Sequence, residues 1–244
     1  MKFTIEQSAE YHEMVAPILD TGIVFQELEE MLADKESFLG DGKTSSVHTL
    51  KGNNRLCMKV IDEQRMREYY GYERPVFNDI NEESRLANLA GSIGKDLVRI
   101  PTPYIAWRLS DTEGNHDDVL IMEALNAVTL KSIHAGESSM PKGFDMDTFF
   151  DNLKKYLEMI HSQLGIYHRD IAEGNILVSK DTGGPCLIDF GDSIKVTGDE
   201  EPYVVRNDFG KTLRSYRDDI NALQEVRKRL EAKLASKTSD ALTK

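Results

Sequence analysis

Apolar positions along the chain change period several times, and each change predicts a new kind of element. Between residues 7 and 35, Val15, Ile18, Leu19, Ile23, Leu28 and Leu32 fall at roughly helical spacing, broken near Pro17 and Thr21-Gly22, which predicts two short helices. Strand-like runs follow in "SSVHTLKG" and "RLCMKVI", joined by the turn Gly52-Asn53-Asn54, and they predict a hairpin. In the second run Cys57, Lys59 and Ile61 alternate with Leu56, Met58 and Val60, so both faces are apolar except for one lysine. The stretch 76–90 places Ile80, Leu86, Leu89 and Ala90 on one helical face, with Gly91 as a stop. Two more strands fit "IPTPYIAW" and "DVLIMEAL", and the strand-rich part ends near Leu125. Beyond it, Phe150, Leu153, Leu157, Ile160 and Leu164 predict a long amphipathic helix over 147–164. Short strands are expected around "NILV" and "CLIDF", and Leu213, Ile220, Leu223, Leu230 and Leu234 predict a helical tail over 212–235. The pattern thus describes an α+β protein in three parts: a helical extension at 1–35, a strand-rich part at 36–125 and a mostly helical part at 126–244.

Composition narrows the class. The chain has 244 residues, 40% hydrophobic and 30% charged, which is long enough to bury a core and too apolar for a disordered segment. Acidic residues exceed basic ones by 42 to 30, a net charge of −12, so nucleic acid is not an expected partner. The two cysteines, Cys57 and Cys186, sit in runs that read as buried strands, which argues against a disulfide framework and for a reducing compartment. "MKFTIEQSAEYHE" has no apolar core of a secretion signal and no run is apolar enough to span a membrane, so a cytoplasmic location is expected, secretion into a host cell without a cleavable signal being the alternative.

Candidate chemistry begins at "FLGDGKTSSV". Gly42-Lys43-Thr44 has the ending of a Walker A loop, but the glycine that motif requires five places earlier is Ser37. The alternative G-x-G-x-x-G-x-V reading, over Gly40, Gly42, Ser45 and Val47, fails only at the third glycine. Further along, "YHRDIAEGNILV" supplies His168-Arg169-Asp170 and Asn175, and "LIDFG" supplies Asp189-Phe190-Gly191. With this ordered set the chain resembles the protein-kinase-like family, with its glycine loop, strand lysine, H-R-D-x-x-x-x-N and D-F-G. The resemblance implies a bilobal fold with an antiparallel sheet first and a reduced, mostly helical second lobe. It further implies ATP and Mg²⁺ as cofactors. Asp170 would be the catalytic base, Lys59 would clamp the α- and β-phosphates with Glu82 as its helix partner and Glu83 one register away, and Asn175 and Asp189 would hold the metal. Gly40 and Gly42 would cover the phosphates, Val47, Cys57 and Leu177 would enclose the adenine, and Met122, Glu123 and Leu125 would form the gatekeeper and hinge. His168 and Phe190 read as packing residues. Asp219, with Asp218 as the adjacent alternative, resembles the aspartate that tethers the H-R-D backbone. Neither Lys59 nor Asp170 is expected to fill a core, so removing either should leave the fold intact.

Three departures bear on the substrate. Ser45 stands at the third glycine; Ala172 stands where Ser/Thr kinases usually carry a lysine that contacts the γ-phosphate; and no A-P-E follows the D-F-G. The truncated design is similar to RIO-type and KEOPS-complex kinases and to bacterial effector kinases. A Ser/Thr protein kinase is the expected function, with a small-molecule phosphotransferase of the aminoglycoside or sugar type, or an ATP-binding interaction module, as alternatives. A second Asp-Phe-Gly at 208–210 is expected to be a decoy, lying after "VVRN" with no hairpin around it.

Overall fold

The computed structural model describes residues 2–4, 36–41, 45–50, 53–62, 80–110, 116–198, 201–206 and 212–242. The helices expected over 7–35 and the second Asp-Phe-Gly at 208–210 lie outside them. The chain divides into two compact units, residues 1–85 with 101–125 and residues 86–100 with 126–244.

The first unit is built on one antiparallel sheet. Its strands are β1 (Lys2–Thr4), β2 (Phe38–Asp41), β3 (Ser45–Leu50), β4 (Asn53–Asp62), β5 (Pro103–Ser110) and β6 (His116–Glu123), arranged in the order β1-β5-β6-β4-β3-β2. The run "RLCMKVI" that is apolar on both faces becomes β4, which has neighbours on both edges. Leu56, Cys57, Met58, Lys59 and Val60 are all buried there, as a strand with two covered faces requires. The register places Lys59 opposite Val47 on β3 and opposite Leu120 on β6, and Cys57 opposite Met122. At the start of the chain, residues 2–4 pair along β5 and cover an edge that would otherwise expose unpaired backbone groups. Helix α1 (Ile80–Gly91) begins with Glu82 and Glu83 in its first turn, where acidic side chains suit the positive end of the helix. Ile80 packs with Ala106 and Leu120, against Ile61 and Met122.

The second unit packs around helix α3 (Met146–Met159), whose Phe149, Phe150, Leu153, Tyr156 and Leu157 are buried. The predicted helix over 147–164 is therefore present, but its last turn, 160–164, widens to a π-helix that ends at Gly165. Gly165 has φ +66, and a Cβ there would lie 2.6 Å from the Val196 carbonyl oxygen, so glycine is required on both counts. A three-stranded sheet of β7 (Ala127–Thr129), β9 (Ile176–Ser179) and β10 (Pro185–Leu187) and a small pair of β8 (Ile166–Tyr167) and β11 (Ile194–Lys195) pack with α2 (Leu130–Ala135) and with α4 (Asp219–Leu242). Ala222, Leu223, Val226 and Leu230 bring the tail helix into the same core. Two strands, β12 (Val204–Arg206) and β13 (Thr212–Ser215), pair antiparallel.

That last pair corrects two expectations. Residues 212–215 are a strand, and the tail helix starts at Asp219, capped by Asp218, whose carboxylate accepts the Asn221 amide at 2.9 Å. Leu213 lies at the irregularity of a ladder that pairs Arg214 with Val205 and Thr212 with Arg206, a cross-strand pairing that helical periodicity does not register. The strands on either side of the second Asp-Phe-Gly in sequence thus pair as a hairpin, contrary to the expectation of none there.

The turn between β9 and β10 carries the tightest backbone approach. Gly183 has φ +74, and a Cβ on it would come within 2.3 Å of Gly143 and Phe144 backbone atoms. Left-handed strain and a backbone clash add, so Gly183→Ala is expected to destabilise the protein by about 3 kcal/mol. A thermal melt should show the midpoint falling by on the order of 10 °C, and an unchanged midpoint would contradict the packing described for this turn.

Candidate functional site

In the first unit the site is organised by β4 and α1. The Lys59 ammonium donates to Glu83 Oε1 at 2.6 Å, and the two side chains are 8% and 4% exposed, so this is a buried ion pair. The helix partner is therefore Glu83, not Glu82. Spacing from Leu86 and Leu89 favoured Glu82, but the buried stripe of α1 holds Ile80, Glu83, Ser84, Leu86, Ala87 and Ala90, while Leu89 is only partly buried. Glu82 lies off that stripe and pairs with Arg85 through two contacts of 2.6 and 2.7 Å. Cys57 donates its thiol to the Glu123 carbonyl at 3.5 Å, and burial, with the Glu123 charge adding to it, pushes its pKa up to about 12. It is a packing thiol, not a nucleophile. At the end of β6 the Glu123 amide donates to Thr102 and the Ala124 amide to Arg55, which fixes the backbone leading to Leu125. Met122 sits opposite Cys57 in the ladder. Gly40 pairs with Val47, and among the described residues no atom lies within 4 Å of a Cβ added to Gly40, so none of them demands glycine there. Gly42 lies outside the described residues.

In the second unit the site is the stretch from β8 to β9 together with the turn after β10. The π-helical turn sends His161 towards Asp219, and the two side chains meet at 2.9 Å. Asp219 has no exposure, and its two oxygens accept the backbone amides of His168 and Arg169, each at 2.8 Å. The tethering role expected for Asp219 is thus what the structure shows, and Asp218 serves as the helix cap instead. Arg169 has φ +69, a strained conformation that a non-glycine residue keeps only where its surroundings enforce it. The clamp on its amide is part of that enforcement, and its guanidinium donates to the Pro202 carbonyl and lies 4.7 Å above the Tyr216 ring. His168 is fully buried against Phe190, as expected of a packing residue, and its Nε2 reaches the Ile188 carbonyl at 3.0 Å.

Asp170, next along, is exposed. The Asn175 amide nitrogen donates both to the Asp170 carboxylate at 2.7 Å and to its backbone carbonyl at 2.9 Å. With the nitrogen so engaged, the amide's other atom, the oxygen acceptor, faces away from Asp170. Leu177 lies on β9 opposite Cys186 and Thr129. Among the described residues Asp189 is the other non-glycine residue with positive φ, at +66. The Ile188 amide before it is fixed by the Asn175 carbonyl at 3.0 Å, which ties the two predicted metal ligands to one backbone frame. Among the described residues no group of three or more His, Cys, Asp or Glu could hold a metal ion by itself.

Sequence reasoning did not single out Asp192, Arg214 and Tyr216. Asp192 follows Gly191 directly; both its oxygens face Arg214 at 3.3 Å, and it accepts the Tyr216 hydroxyl at 3.2 Å. Burial raises the Asp192 pKa against the pull of Arg214, and the charges of Asp170 and Asp189 raise it further. The Tyr216 phenol is likewise pushed up to about 12 by burial and by Asp192. Only the adjacency of Asp192 to the D-F-G could have flagged it.

Asp219→Ala would leave two amides buried without acceptors. The expected loss is about 2–5 kcal/mol of stability, together with relaxation of the Arg169 backbone; hydrogen exchange at the His168 and Arg169 amides should accelerate, and continued slow exchange there would contradict the clamp.

A comparison with known families matches residues 33–214 to the protein kinase domain. The chain belongs to the protein kinase domain family, with the α+β fold and the phosphotransferase class that membership carries. No curated protein is similar enough to the chain to count as a match. Among the described residues no helix is long and apolar enough to cross a membrane.

Proposed function

We propose that the protein transfers the γ-phosphate of Mg-ATP to a serine or threonine hydroxyl of a protein acceptor. The observation that carries this reading is the contact of Asn175 with Asp170 beside Asp189. One amide orients the carboxylate that takes the hydroxyl proton and leaves its own oxygen for a cation. The donor set suits magnesium, which takes oxygen ligands and is completed by phosphate oxygens and water rather than by a full protein cage. Asn175 Oδ1 and Asp189 would hold it, and when bound it would neutralise charge on the phosphates. Asp170 orients the acceptor hydroxyl and removes its proton. In the first unit Lys59, kept extended by Glu83, presents a cation for the α- and β-phosphates. The absence, among the described residues, of a steric demand for glycine at Gly40 supports close backbone approach by a ligand there.

A small-molecule acceptor is the second reading, supported by Ala172, which leaves the catalytic loop without the lysine of Ser/Thr kinases. Incubation of the purified chain with radiolabelled ATP, alone, with a generic protein substrate and with a metabolite pool, separates the cases. Label on protein is the expected result; label confined to metabolites establishes the second reading, and nucleotide binding without transfer makes the protein an interaction module. Within the same assay Asp189→Asn is expected to remove Mg²⁺-dependent transfer, whereas Asp208→Asn reduces it only a few-fold. The reverse outcome would transfer the metal role to the second Asp-Phe-Gly.

A further inference from the structure

We infer that Glu173 is a positioning residue for phosphotransfer, through which the tail helix α4 holds the catalytic loop on the far side of Asp170 from the Asp219 clamp. The inference rests on the phosphotransferase reading. Positioned groups act only while they keep their geometry, and a displacement of about 1 Å can cost on the order of a hundredfold in rate. The turn that carries Asn175 needs such a hold. Ile171 and Ile176 enter the core at its two ends, but the residues between them are only partly buried. Among the described residues no atom lies within 4 Å of a Cβ added to Gly174, so packing does not fix the turn there.

Glu173 supplies the hold. Its backbone carbonyl accepts the Lys131 amide of α2 at 2.9 Å, one carboxylate oxygen lies 3.2 Å from His134 Nδ1 on the same helix, and the other lies 3.2 Å from Arg229 Nε on α4. The oxygen that faces Arg229 is shut off from solvent, and its contact has the length of an ion pair without the alignment of a hydrogen bond. What acts is therefore the charge of Arg229 and not the shape of its guanidinium. Arg229 follows Asp219 by ten residues, about 15 Å along the axis of α4. Ala222, Leu223, Val226 and Leu230 seat that stretch of the helix in the core. One rigid element thus grips the His168 and Arg169 amides at one end and the Glu173 side chain at the other. Asp170 lies between the two grips. The Ala172 carbonyl, next to Glu173, accepts the amides of Asn175 and Ile176 at 3.0 and 3.1 Å, so a shift at residue 173 passes along the main chain to Asn175 and to its contact with Asp170. Arg229 is 54% exposed, and an ion pair at such a rim adds little to global stability, so the effect falls on the geometry of the loop.

The test compares wild type, Glu173→Gln, Arg229→Gln, Arg229→Lys and the double variant that joins Glu173→Gln to Arg229→Gln, each as the full-length chain. It measures kcat, KM for ATP and melting temperature with Mg-ATP and whichever acceptor, protein or metabolite, takes label in the radiolabelled-ATP assay. Glu173→Gln and Arg229→Gln are each expected to lower kcat about tenfold, with KM for ATP changed less than about threefold. The double variant should fall no more than about twofold below either single one, because both substitutions remove the same contact. Arg229→Lys keeps the charge and is expected to retain at least about half of wild-type kcat. Melting temperatures should stay within about 2 °C of wild type. Single variants with wild-type kcat overturn the inference, whether or not their melting temperatures fall. So do losses that multiply in the double variant, a loss confined to Glu173→Gln, and an Arg229→Lys variant as slow as Arg229→Gln. A wild type that labels no acceptor overturns the phosphotransferase reading and this inference with it, whereas an active wild type with any of the preceding results overturns this inference alone.

Discussion

Replacing Asp170 with alanine is expected to lower the turnover of phosphotransfer by about 10²- to 10⁴-fold, the usual size of a general-base contribution, with no measurable change in melting temperature. The side chain is exposed and fills no core. Its hydrogen bond to the Asn175 amide is duplicated, because the same nitrogen also donates to the backbone carbonyl of residue 170 at 2.9 Å, and that bond survives the substitution. The loop therefore keeps its shape, and Asn175 keeps its orientation. Nucleotide binding should persist, since the carboxylate is assigned to the acceptor hydroxyl and not to the phosphates. Steady-state kinetics together with a nucleotide titration check this. A variant retaining more than about a tenth of wild-type turnover removes Asp170 from the role of base.

Lys59→Ala is expected to act differently, and here the structure revises the idea that the fold would be untouched. Lys59 and Glu83 are both buried and 2.6 Å apart. Removing the ammonium leaves a carboxylate in the interior with its principal counter-charge gone, and breaking a buried pair from one side typically costs about 3–5 kcal/mol. Activity should vanish, but so should much of the stability of the first unit. Lys59→Met with Glu83→Gln separates the two effects. It removes the cation assigned to the phosphates without stranding a charge, so its melting temperature should recover most of the loss while phosphotransfer stays absent. A Lys59→Ala protein as stable as wild type would mean that Glu83 has a further buried partner strong enough to replace the lysine.

The β4 strand was legible in the sequence because its two-sided apolar run has one reading in a sheet, a central position, and the lysine's conspicuousness there followed from the same pattern. The catalytic loop was legible because its chemistry is local. Asp170 and Asn175 are five residues apart and meet through a tight turn that the letters of the motif imply. Asp219 was legible only through resemblance, since nothing in its own helix distinguishes it from Asp218. The choice between Glu82 and Glu83 failed because both fit a helix. Which of two adjacent carboxylates points inward depends on how α1 is rotated against the sheet, and a step of one residue turns the face by 100°.

The sequence by itself determined the central strands β3 to β6, the helices beginning near residues 80 and 147, and the motif residues with their spacing, because these depend on short-range periodicity and on turns of a few residues. Only the tertiary structure decided what those residues touch. It turned residues 212–215 from a presumed helix into a strand, because a backbone ladder with residues 204–206 outweighs the weak helical preference of four residues. It made Glu83 the partner of Lys59, gave Asp219 the two amides of the strained Arg169 turn, and brought Arg214 to Asp192 across 22 positions of chain. The hairpin apart, each of these is a pairing whose partners are 22 or more positions apart in sequence, so its energy enters only when the whole unit has closed around its core.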